Sequence, residues 1–204
     1  MKTNSPASET SPAHALRAVV IGASAGGVDA LLTLFAGLPA DWRLPLVVVI
    51  HLPEQYESRL AEVFSQRLPF PVREAEDKLP VAGGTLYVAP PGYHLSIESD
   101  LCFSLSCEPP VLFSRPSIDV LMSSAADAYG PALAGILLTG ANEDGAEGLL
   151  RIHEAGGLTI VQDPDEAVAP AMPRAAIARH RPDHVLPLRG IRALLMALDS
   201  TDAP

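Results

Sequence analysis

The composition of this 204-residue chain is that of a soluble globular protein. Hydrophobic residues make up 48% and charged residues 19%, which excludes a disordered or a membrane-spanning polypeptide. The formal net charge of -10 also excludes nucleic acid as a partner, because phosphate binding requires clustered Lys and Arg side chains. The length predicts a single domain with a substantial hydrophobic core.

Residues 1–15 are rich in Ser, Pro, Thr and Ala, and they predict a flexible N-terminal tail. This segment lacks the apolar run of a signal peptide, and no later segment is long enough to cross a membrane. We therefore expect a cytoplasmic protein without membrane insertion, whose single domain occupies residues 16–204.

Apolar runs alternate with helical patterns along most of the chain. Such alternation predicts a doubly wound, mostly parallel α/β sheet with helices on both faces. The predicted elements are, in chain order, strand 15–21, helix 28–35, strand 45–51, helix 56–68, strand 70–76, helix 117–130, strand 133–139, helix 145–155, strand 157–162, a short helix from Met172, strand 183–188 and helix 191–200. In sheets of this type the ligand site lies beyond the carboxyl ends of the strands.

The middle of the chain has a different pattern. Three short segments at 83–90, 93–99 and 101–107 alternate in polarity and are separated by Gly, Pro, Ser and Asp, which predicts a small antiparallel excursion. Cys102 and Cys107 lie in the last segment, and their odd separation places them on opposite faces of a strand. We therefore expect two unpaired thiols that do not bind a metal together.

A glycine-rich turn, Gly22–Gly27, follows the first predicted strand. The dinucleotide-binding fingerprint needs a central glycine where this turn has Ser24, and an acidic residue where the second strand ends in His51. Both differences argue against a nucleotide site. The same turn satisfies G-x-S-x-G, with Ser24 between Gly22 and Gly26, which predicts a serine hydroxyl exposed at a strand-to-helix turn. A serine that only caps the helix is the alternative without catalysis.

A serine nucleophile needs a base within hydrogen-bond reach. His51 ends the second predicted strand, on the same edge of the sheet as Ser24, and is therefore the first candidate. His94, at the start of a strand in the excursion, is the main rival. The remaining histidines lie in the tail, within a helix or beside a late helix-to-strand connection: His14, His153, His180 and His184.

A triad also needs a carboxylate that fixes the imidazole tautomer and stabilises the imidazolium. Glu143 and Asp144 lie in the loop "GANEDGAEG", beyond the end of the strand at 133–139, and Asp163 follows another strand in "IVQDPD". Spacing alone does not choose among these three side chains, and each also suits a simple turn or loop.

Several segments of the chain together resemble the catalytic domain of the bacterial chemotaxis protein-glutamate methylesterases of the CheB type. They are "VVIGASAGGVDAL", "IHLP", "FSRPSIDVLMSSAADAYG", "ILLTGANEDGAEGL" and "PAMPRAAI", and they occur in the family's order from about residue 17 to the C-terminal region. Linked motifs of this kind are far more specific than G-x-S-x-G alone.

This resemblance implies that Ser24 is the nucleophile, His51 the base and Asp144 the third member of the triad. It implies a hydrolase that removes methyl groups from glutamate γ-methyl esters on the cytoplasmic domains of chemoreceptors and deamidates receptor glutamines. No metal or organic cofactor is expected. The implied order Ser, His, Asp differs from that of the α/β-hydrolases, which indicates a separate origin of the same chemistry.

Two features depart from the family's pattern. Ala141 and Asn142 stand where the family often has Met-Gly after Thr-Gly, which predicts an altered pocket beside the ester. Familiar members also carry an N-terminal phospho-receiver domain, and the segment before Leu16 is too short to form one. Regulation is therefore expected from a separate partner or from expression.

The remaining expectations concern the walls of the site. Backbone N–H groups of Ala25 and Gly26, at the start of the helix after Ser24, are candidates for holding the oxyanion. Arg115 in "FSRPSID" is a candidate contact for an acidic receptor, and Met172 in "PAMP" is a candidate wall of the cleft. In the main alternative function, the fold binds receptor helices or another signalling protein without useful esterase activity.

Overall fold

The computed structural model of the chain describes residues 15–51 and 59–201. The predicted tail, apart from Ala15, lies outside these residues, as does the start of the helix predicted at 56–68. The division into a tail and a single domain therefore stays a prediction. Within the described ranges, no helix is long and apolar enough to cross a membrane.

The described strands form one parallel sheet and one antiparallel pair. The strands are β1 (Ala18–Ala23), β2 (Leu46–Ile50), β3 (Val72–Glu74), β4 (Leu86–Val88), β5 (His94–Ile97), β6 (Phe103–Ser106), β7 (Leu133–Leu137), β8 (Leu158–Gln162) and β9 (His184–Leu186). The sheet order is β3-β4-β2-β1-β7-β8-β9 with parallel pairing throughout, and β5 pairs with β6 in antiparallel fashion. The predicted fold class is confirmed.

The helices connect successive strands and cover the sheet. They are α1 (Gly27–Phe35), α2 (Leu60–Ser65), α3 (Ile118–Tyr129), α4 (Ala146–Glu154), α5 (Ala171–Arg179) and α6 (Leu188–Thr201). The predicted start of α3 is confirmed, because Ser117 is its N-cap and the hydroxyl accepts a hydrogen bond from Val120 N at 3.5 Å. A short 3₁₀ turn at Gly130–Ala132 then leads into β7.

One part of the middle segment was wrongly predicted. The stretch 83–90 was assigned to the antiparallel excursion, whereas Leu86–Val88 is β4, which lies between β3 and β2 in the parallel sheet. All three residues of β4 are buried, as is typical of a parallel strand covered on both faces. Of the named strands, β5 and β6 form the antiparallel pair. Cys102 and Cys107, next to that hairpin, are free thiols as predicted.

The sheet separates two hydrophobic layers. Alternate residues of β1 point to opposite sides, so that Val19 and Ile21 pack in the layer of α1, α2 and α6, and Val20 packs in the layer of α3, α4 and α5. The side chains of β5 and β6 that are buried belong to the second layer. All six residues of β1 are buried, which makes this strand the rigid centre of the domain.

The carboxyl ends of β1, β2 and β7 bring the predicted site residues to one edge. Ala23 of β1 pairs with Ile50 of β2, and His51 N donates to Ala23 O at 3.1 Å. Ser24 and His51 therefore leave neighbouring strands at the same level. Asp144 lies in the loop after β7, on the other side of β1.

Candidate active site

The structure brings His51 and Asp144 into direct contact. Nε2 of His51 lies 2.7 Å from Oδ2 of Asp144, the Asp144 side chain is fully buried, and the His51 side chain is 11% exposed. The contact joins residues 93 positions apart in the sequence. A hydrogen bond of this length from a ring N–H to a carboxylate is charge-assisted, and it fixes the orientation of the imidazole.

The first turn of α3 holds the Asp144 carboxylate. Ile118 N donates to Oδ2 at 2.7 Å, Asp119 N donates to Oδ1 at 3.1 Å, and Ser117 Oγ donates to Oδ1 at 2.8 Å. Free N–H groups at a helix N-terminus suit an anion, both as donors and through the helix dipole. Together with His51, these groups satisfy both carboxylate oxygens.

Opposing effects act on the pKa of Asp144. Burial raises it, whereas the hydrogen bonds from His51, from the Ile118 and Asp119 N–H groups and from Ser117 lower it, and the hydrogen bonds prevail. Because the resulting pKa lies below the ordinary value, Asp144 is an anion at neutral pH. It can therefore stabilise a positive charge on the His51 ring.

The bond to Asp144 determines which nitrogen of the neutral His51 ring carries the proton. A carboxylate only accepts hydrogen bonds, so Nε2 of the neutral ring carries the proton. Nδ1 then has a lone pair that can accept a hydrogen bond. Ser114 Oγ lies 3.4 Å from Nδ1, which places this nitrogen on the pocket side of the ring.

Ser24 lies in the turn between β1 and α1. Gly26 adopts a left-handed conformation (φ 77°) as the N-cap of α1, and Gly27 N donates to Ser24 O at 2.7 Å. No hydrogen bond joins Ser24 Oγ, Ala25 N or Gly26 N to another residue among those described. Among the described residues, the turn therefore presents one hydroxyl and two backbone N–H groups that are available for hydrogen bonds to a ligand.

Thr139, which follows β7, fixes the position of this turn. Its carbonyl accepts from Ser24 N at 2.9 Å, and its hydroxyl donates to Ala25 O at 2.8 Å. Thr139 N in turn donates to the side-chain oxygen of Gln162 at 2.8 Å. Thr139 and Gln162 are both buried, so the turn is held from beneath by a rigid polar chain that the sequence analysis did not identify.

One pocket of about 660 Å³ contains most of the candidate residues. Polar and apolar residues both line it: Ser24, Ala25, His51, Leu112, Phe113, Ser114, Arg115, Pro116, Ala141 and Asn142. Of the residues predicted from the sequence, Ser24, His51, Ala25, Ala141 and Arg115 therefore converge at the carboxyl edge of the sheet.

Two side chains of the pocket wall, those of Asn142 and Arg115, have hydrogen-bond partners. Asn142 Oδ1 accepts from Asp144 N at 3.3 Å, so this side chain supports the loop that carries the acid. Arg115 donates through one terminal nitrogen to the carbonyls of Cys107 and Glu108 at 3.1 and 3.2 Å. The guanidinium thus holds the loop before α3. The exposed Ala141 makes no side-chain hydrogen bond and leaves the pocket open beside His51.

Met172 does not line the pocket as proposed from the sequence. Its side chain is fully buried and packs against Gly140, where an added Cβ would lie 2.4 Å from the terminal methyl group. Met172 N also donates to Gly140 O at 3.0 Å. The residue is part of the core beneath the loop after β7, because the start of α5 lies behind that loop.

The rival base has a different role. His94 is 2% exposed, its Nδ1 accepts from Ser117 N at 3.2 Å, and its Nε2 lies 3.1 Å from Pro109 O. Both ring nitrogens of His94 form hydrogen bonds with backbone groups, so neither is available to take a proton from a serine hydroxyl. It positions Ser117, which in turn donates to Asp144.

The rival acids do not contact His51. Glu143 is exposed, and Asp163 Oδ1 accepts from Asp165 N at 3.0 Å within the loop after β8. Among the described residues, Asp144 is the carboxylate in contact with His51. No group of three or more His, Cys, Asp or Glu side chains in the described ranges is placed to hold a metal ion.

Two glycines allow α3 to approach the site. A Cβ at Gly22 would lie 2.3 Å from Ile118 Cγ2, and a Cβ at Gly145 would lie 2.6 Å from the same atom and 2.5 Å from Leu137 Cδ1. Gly145 also has a φ of 95°, a conformation that disfavours side chains. Both glycines leave room for Ile118, whose N–H group binds Asp144.

Replacement of Gly145 by Ala is expected to destabilise the protein by about 2–5 kcal/mol. About 1–2 kcal/mol arises from the left-handed backbone and about 1–3 kcal/mol from overpacking against Ile118 and Leu137. Gly37→Ala is the matched control, because Gly37 has a φ of 82° but an added Cβ would meet no atom within 4 Å. Urea denaturation measures the free energy of unfolding of both variants. Equal losses in that free energy would contradict the contribution from overpacking against Ile118 and Leu137.

Asp119 is a second carboxylate behind Asp144. Its Oδ1 accepts from Gly145 N at 2.8 Å and from Gly148 N at 2.7 Å, so it caps the start of α4 from the neighbouring helix. Burial raises the pKa of Asp119 to about 6; the nearby Asp144 charge also raises it, and the glycine N–H groups oppose the rise. At neutral pH, two anions therefore lie behind His51.

Asp119→Asn is expected to stabilise the protein at neutral pH. A carboxyl group with a raised pKa contributes stability below its unfolded pKa of about 4, and this contribution is lost as the pH rises through about 6. The amide oxygen still accepts from Gly145 and Gly148 without ionising. Because Asp119 is partly exposed, we expect only about 1–2 kcal/mol, equal to a few degrees in Tm.

The measurement is Tm near pH 7.5 and near pH 4.5, with Asp127→Asn, an exposed carboxylate on the same helix, as the control. The stabilisation by Asp119→Asn should be larger at the higher pH. A stabilisation that is equal at both pH values would show that ionisation of Asp119 does not destabilise the fold.

The fold and the pocket together define a class of protein. A doubly wound α/β domain presents a buried carboxylate, an oriented histidine and a serine on a glycine-rich turn at the carboxyl edge of its sheet. This is the edge at which such folds bind their ligands, and these are the residue types of a serine hydrolase.

Comparison with known proteins assigns the family. The sequence profile described as CheB methylesterase matches residues 19–195. The chain belongs to the CheB methylesterase family, and the prediction of an enzyme of this hydrolase type is confirmed.

Individual relatives agree with this assignment. A Leptospira interrogans protein with the provisional name protein-glutamate methylesterase/protein-glutamine glutaminase is 44% identical over 185 residues, which cover 91% of this chain and 96% of that protein. Protein-glutamate methylesterase/protein-glutamine glutaminase 1 of Hahella chejuensis is 44% identical over 179 residues, covering 86% of this chain and 49% of that protein. The chain therefore spans about half of the second relative and nearly all of the first.

A solved structure has the same fold. The crystal structure of the Thermotoga maritima CheB methylesterase catalytic domain has a TM-score of 0.85 with this chain at 32% sequence identity. The superposition covers 90% of this chain and 98% of that domain. The two chains therefore share the same fold over most of their length.

Proposed function

We propose that this protein is a cytoplasmic serine hydrolase that removes methyl groups from glutamate γ-methyl esters on the cytoplasmic domains of chemoreceptors. Ser24 is the nucleophile, His51 the general base and Asp144 the residue that orients and stabilises the base. The observation that carries the proposal is the 2.7 Å contact between His51 and Asp144 in a pocket that Ser24 also lines. Membership in the methylesterase family supports the choice of ester.

The first half of the reaction forms an acyl-enzyme. Nδ1 of His51 takes the Ser24 proton as the hydroxyl oxygen attacks the γ-carbonyl carbon, and the imidazolium is stabilised by the Asp144 anion. The N–H groups of Ala25 and Gly26 are the donors for the oxyanion, and each such donor contributes on the order of 3 kcal/mol. The carbon–oxygen bond to the methoxy group then breaks, and the imidazolium proton leaves with methanol.

The second half returns the enzyme to its starting state. His51 takes a proton from water, whose oxygen attacks the acyl carbon, and Ser24 leaves with that proton. The products are a glutamate carboxylate and one proton. Deamidation of a glutamine follows the same steps with ammonia in place of methanol, which agrees with the double name of the relatives.

Labelled methanol tests this function directly. Receptor membranes are methylated with labelled methyl groups and incubated with the wild-type protein or with Ser24→Ala. The wild type should release labelled methanol, and the variant should not, because no other group in the proposed mechanism forms the acyl bond. A Ser24→Ala variant that releases methanol at the wild-type rate would exclude Ser24 as the nucleophile.

The same assay addresses the alternative of a binding module. If the folded wild type releases no methanol from any of several receptors, yet sediments with receptor membranes, then the fold binds without hydrolysis. The intact contact between His51 and Asp144 favours the enzyme, because a module that only binds does not need a buried anion behind a histidine.

A further inference from the structure

The rim of the pocket contains an unusual turn. Val111 and Ser114 exchange two backbone hydrogen bonds of 3.1 and 2.8 Å, so Leu112 and Phe113 form a two-residue hairpin turn between them. Leu112 has a φ of 47° and Phe113 a φ of 64°. A turn with both central residues in the left-handed region normally has Asn and Gly at these positions, because larger side chains are strained there.

The side chains of this turn do not contribute to the core. Phe113 is fully exposed (102%), and Leu112 is 39% exposed. The fold therefore gains no packing energy from the ring, while the backbone beneath it is strained. Strain that packing does not compensate within the fold is typical of residues kept for contact with a ligand.

A second exposed apolar side chain lies beside the turn that follows Ser24. Val168, in the loop after β8, is 78% exposed, and its Cβ is 2.8 Å from the position that a Cβ on Gly26 would occupy. It therefore lies directly against the turn that carries the nucleophile. We call Leu112, Phe113 and Val168 the apolar rim.

The size of the pocket and the charge of the chain indicate the partner. A pocket of about 660 Å³ is larger than one methyl-ester side chain needs and accommodates part of a polypeptide. The net charge of -10 repels acidic polypeptides at long range, which favours apolar contact near the site as the source of attraction. Exposed aromatic and aliphatic groups around a pocket are typical anchors for a protein partner.

We propose that the apolar rim docks the polypeptide that carries the esterified glutamate, through apolar residues next to that glutamate, and thereby gives preference for protein substrates over small esters. This inference rests on the proposed esterase function. Leu112 and Phe113 line the pocket together with Ser24 and His51, and Val168 lies against the turn that follows Ser24. This position makes the substrate chain the occupant of the rim rather than a second copy of this protein.

The test uses substitutions at Phe113 that separate docking from folding. Phe113→Gly removes the ring and relieves the left-handed backbone, so Tm should rise by about 2 °C or more. Phe113→Trp retains a large aromatic group. Met196→Ser is the matched control, because Met196 is 44% exposed on α6, outside the pocket.

Two substrates measure the effect. They are a methylated soluble receptor fragment and the γ-methyl ester of N-acetylglutamate amide. In Phe113→Gly, the ratio of kcat/KM for the fragment to kcat/KM for the small ester should fall at least tenfold, mainly through KM for the fragment. Phe113→Trp should restore the ratio, and Met196→Ser should leave it unchanged. A ratio that stays within twofold in Phe113→Gly overturns the docking role.

A binding measurement separates this proposal from the proposed function. Affinity for the methylated fragment is compared between Ser24→Ala and the double variant Ser24→Ala/Phe113→Gly, so that turnover is not needed. Tenfold weaker binding of the double variant supports the rim even if the wild type hydrolyses no ester, which would overturn only the proposed function. Equal binding of the two variants, together with efficient hydrolysis by the wild type, overturns only the docking role of the rim. If Ser24→Ala does not bind the fragment and the wild type does not hydrolyse it, the docking role and the proposed function are both overturned.

Discussion

Ser24→Ala is expected to lower kcat for a small soluble glutamate γ-methyl ester by about 10⁴-fold or more, whereas Ser114→Ala should lower it by less than about tenfold. The comparison is needed because both hydroxyls line the same pocket and Ser114 Oγ lies 3.4 Å from Nδ1 of His51. Proximity to the base does not by itself distinguish the two.

The backbone around each serine makes the distinction. Next to Ser24, the N–H groups of Ala25 and Gly26 have no hydrogen-bond partner among the described residues, so they are free for an oxyanion. The N–H and C=O groups of Ser114 are both bonded to Val111 in the hairpin turn. An attack by Ser114 would therefore lack the donors that supply the largest share of stabilisation in acyl transfer.

The kinetic experiment has a chemical readout as well. Acid quench of the reaction, followed by mass analysis of peptides, identifies which serine carries the acyl group. We expect the acyl group on the peptide that contains Ser24. Ser24→Ala should fold, because Ser24 Oγ forms no hydrogen bond with any other described residue. Acylation of Ser114, or a 10⁴-fold loss in Ser114→Ala, would reverse the assignment.

The sequence was sufficient for the fold class because the signals for it are local. Continuous apolar runs such as 46–50 alternate with amphipathic segments, and this pattern specifies a parallel sheet covered on both faces. The assignment of Leu86–Val88 to the antiparallel excursion was wrong because a strand of three residues is too short to show its periodicity.

Residue types and positions at strand ends also located Ser24 and His51 on one edge. They did not choose among Glu143, Asp144 and Asp163, because that choice depends on the first turn of α3, which folds back against the loop after β7. The resemblance to the methylesterase family implied Asp144. In the structure, the first turn of α3 binds the Asp144 carboxylate, which also contacts His51. A helix start predicted from Ser117 gave no sign that its N–H groups face a carboxylate.

The turn at Leu112 and Phe113 could not be predicted for a different reason. Two large apolar residues disfavour a turn with left-handed φ values, so local rules predict no hairpin there. Proteins depart from local conformational preferences mainly at functional sites, where the residue type is required for function and lowers stability. That conflict is visible only after the backbone is known.

Asp144→Asn is expected to lower kcat by about 10⁴-fold while preserving the shape of the side chain. Each oxygen of Asp144 accepts two hydrogen bonds, from His51 and Ile118 N on Oδ2 and from Ser117 and Asp119 N on Oδ1. An amide nitrogen replaces one acceptor, so at least one backbone N–H loses its partner in either orientation.

Each orientation of the amide also impairs the base. If the nitrogen faces His51, Nε2 must accept, the ring proton moves to Nδ1, and Nδ1 no longer takes the serine proton. If the nitrogen faces Ser117, the tautomer survives but the anion that stabilises the imidazolium is absent. The unpaired N–H group should in addition lower the free energy of unfolding by about 1–3 kcal/mol.

The control is Glu143→Gln, which removes a carboxylate from the adjacent, exposed position of the same loop. If the total negative charge of the loop controlled kcat, both variants would lose activity. The contact of Asp144 with Nε2 of His51 predicts a loss in Asp144→Asn alone. Measurement of kcat against pH for both variants, with urea denaturation alongside, distinguishes the two explanations. A Glu143→Gln variant as inactive as Asp144→Asn would mean that loop charge, and not the orientation of His51, controls the reaction.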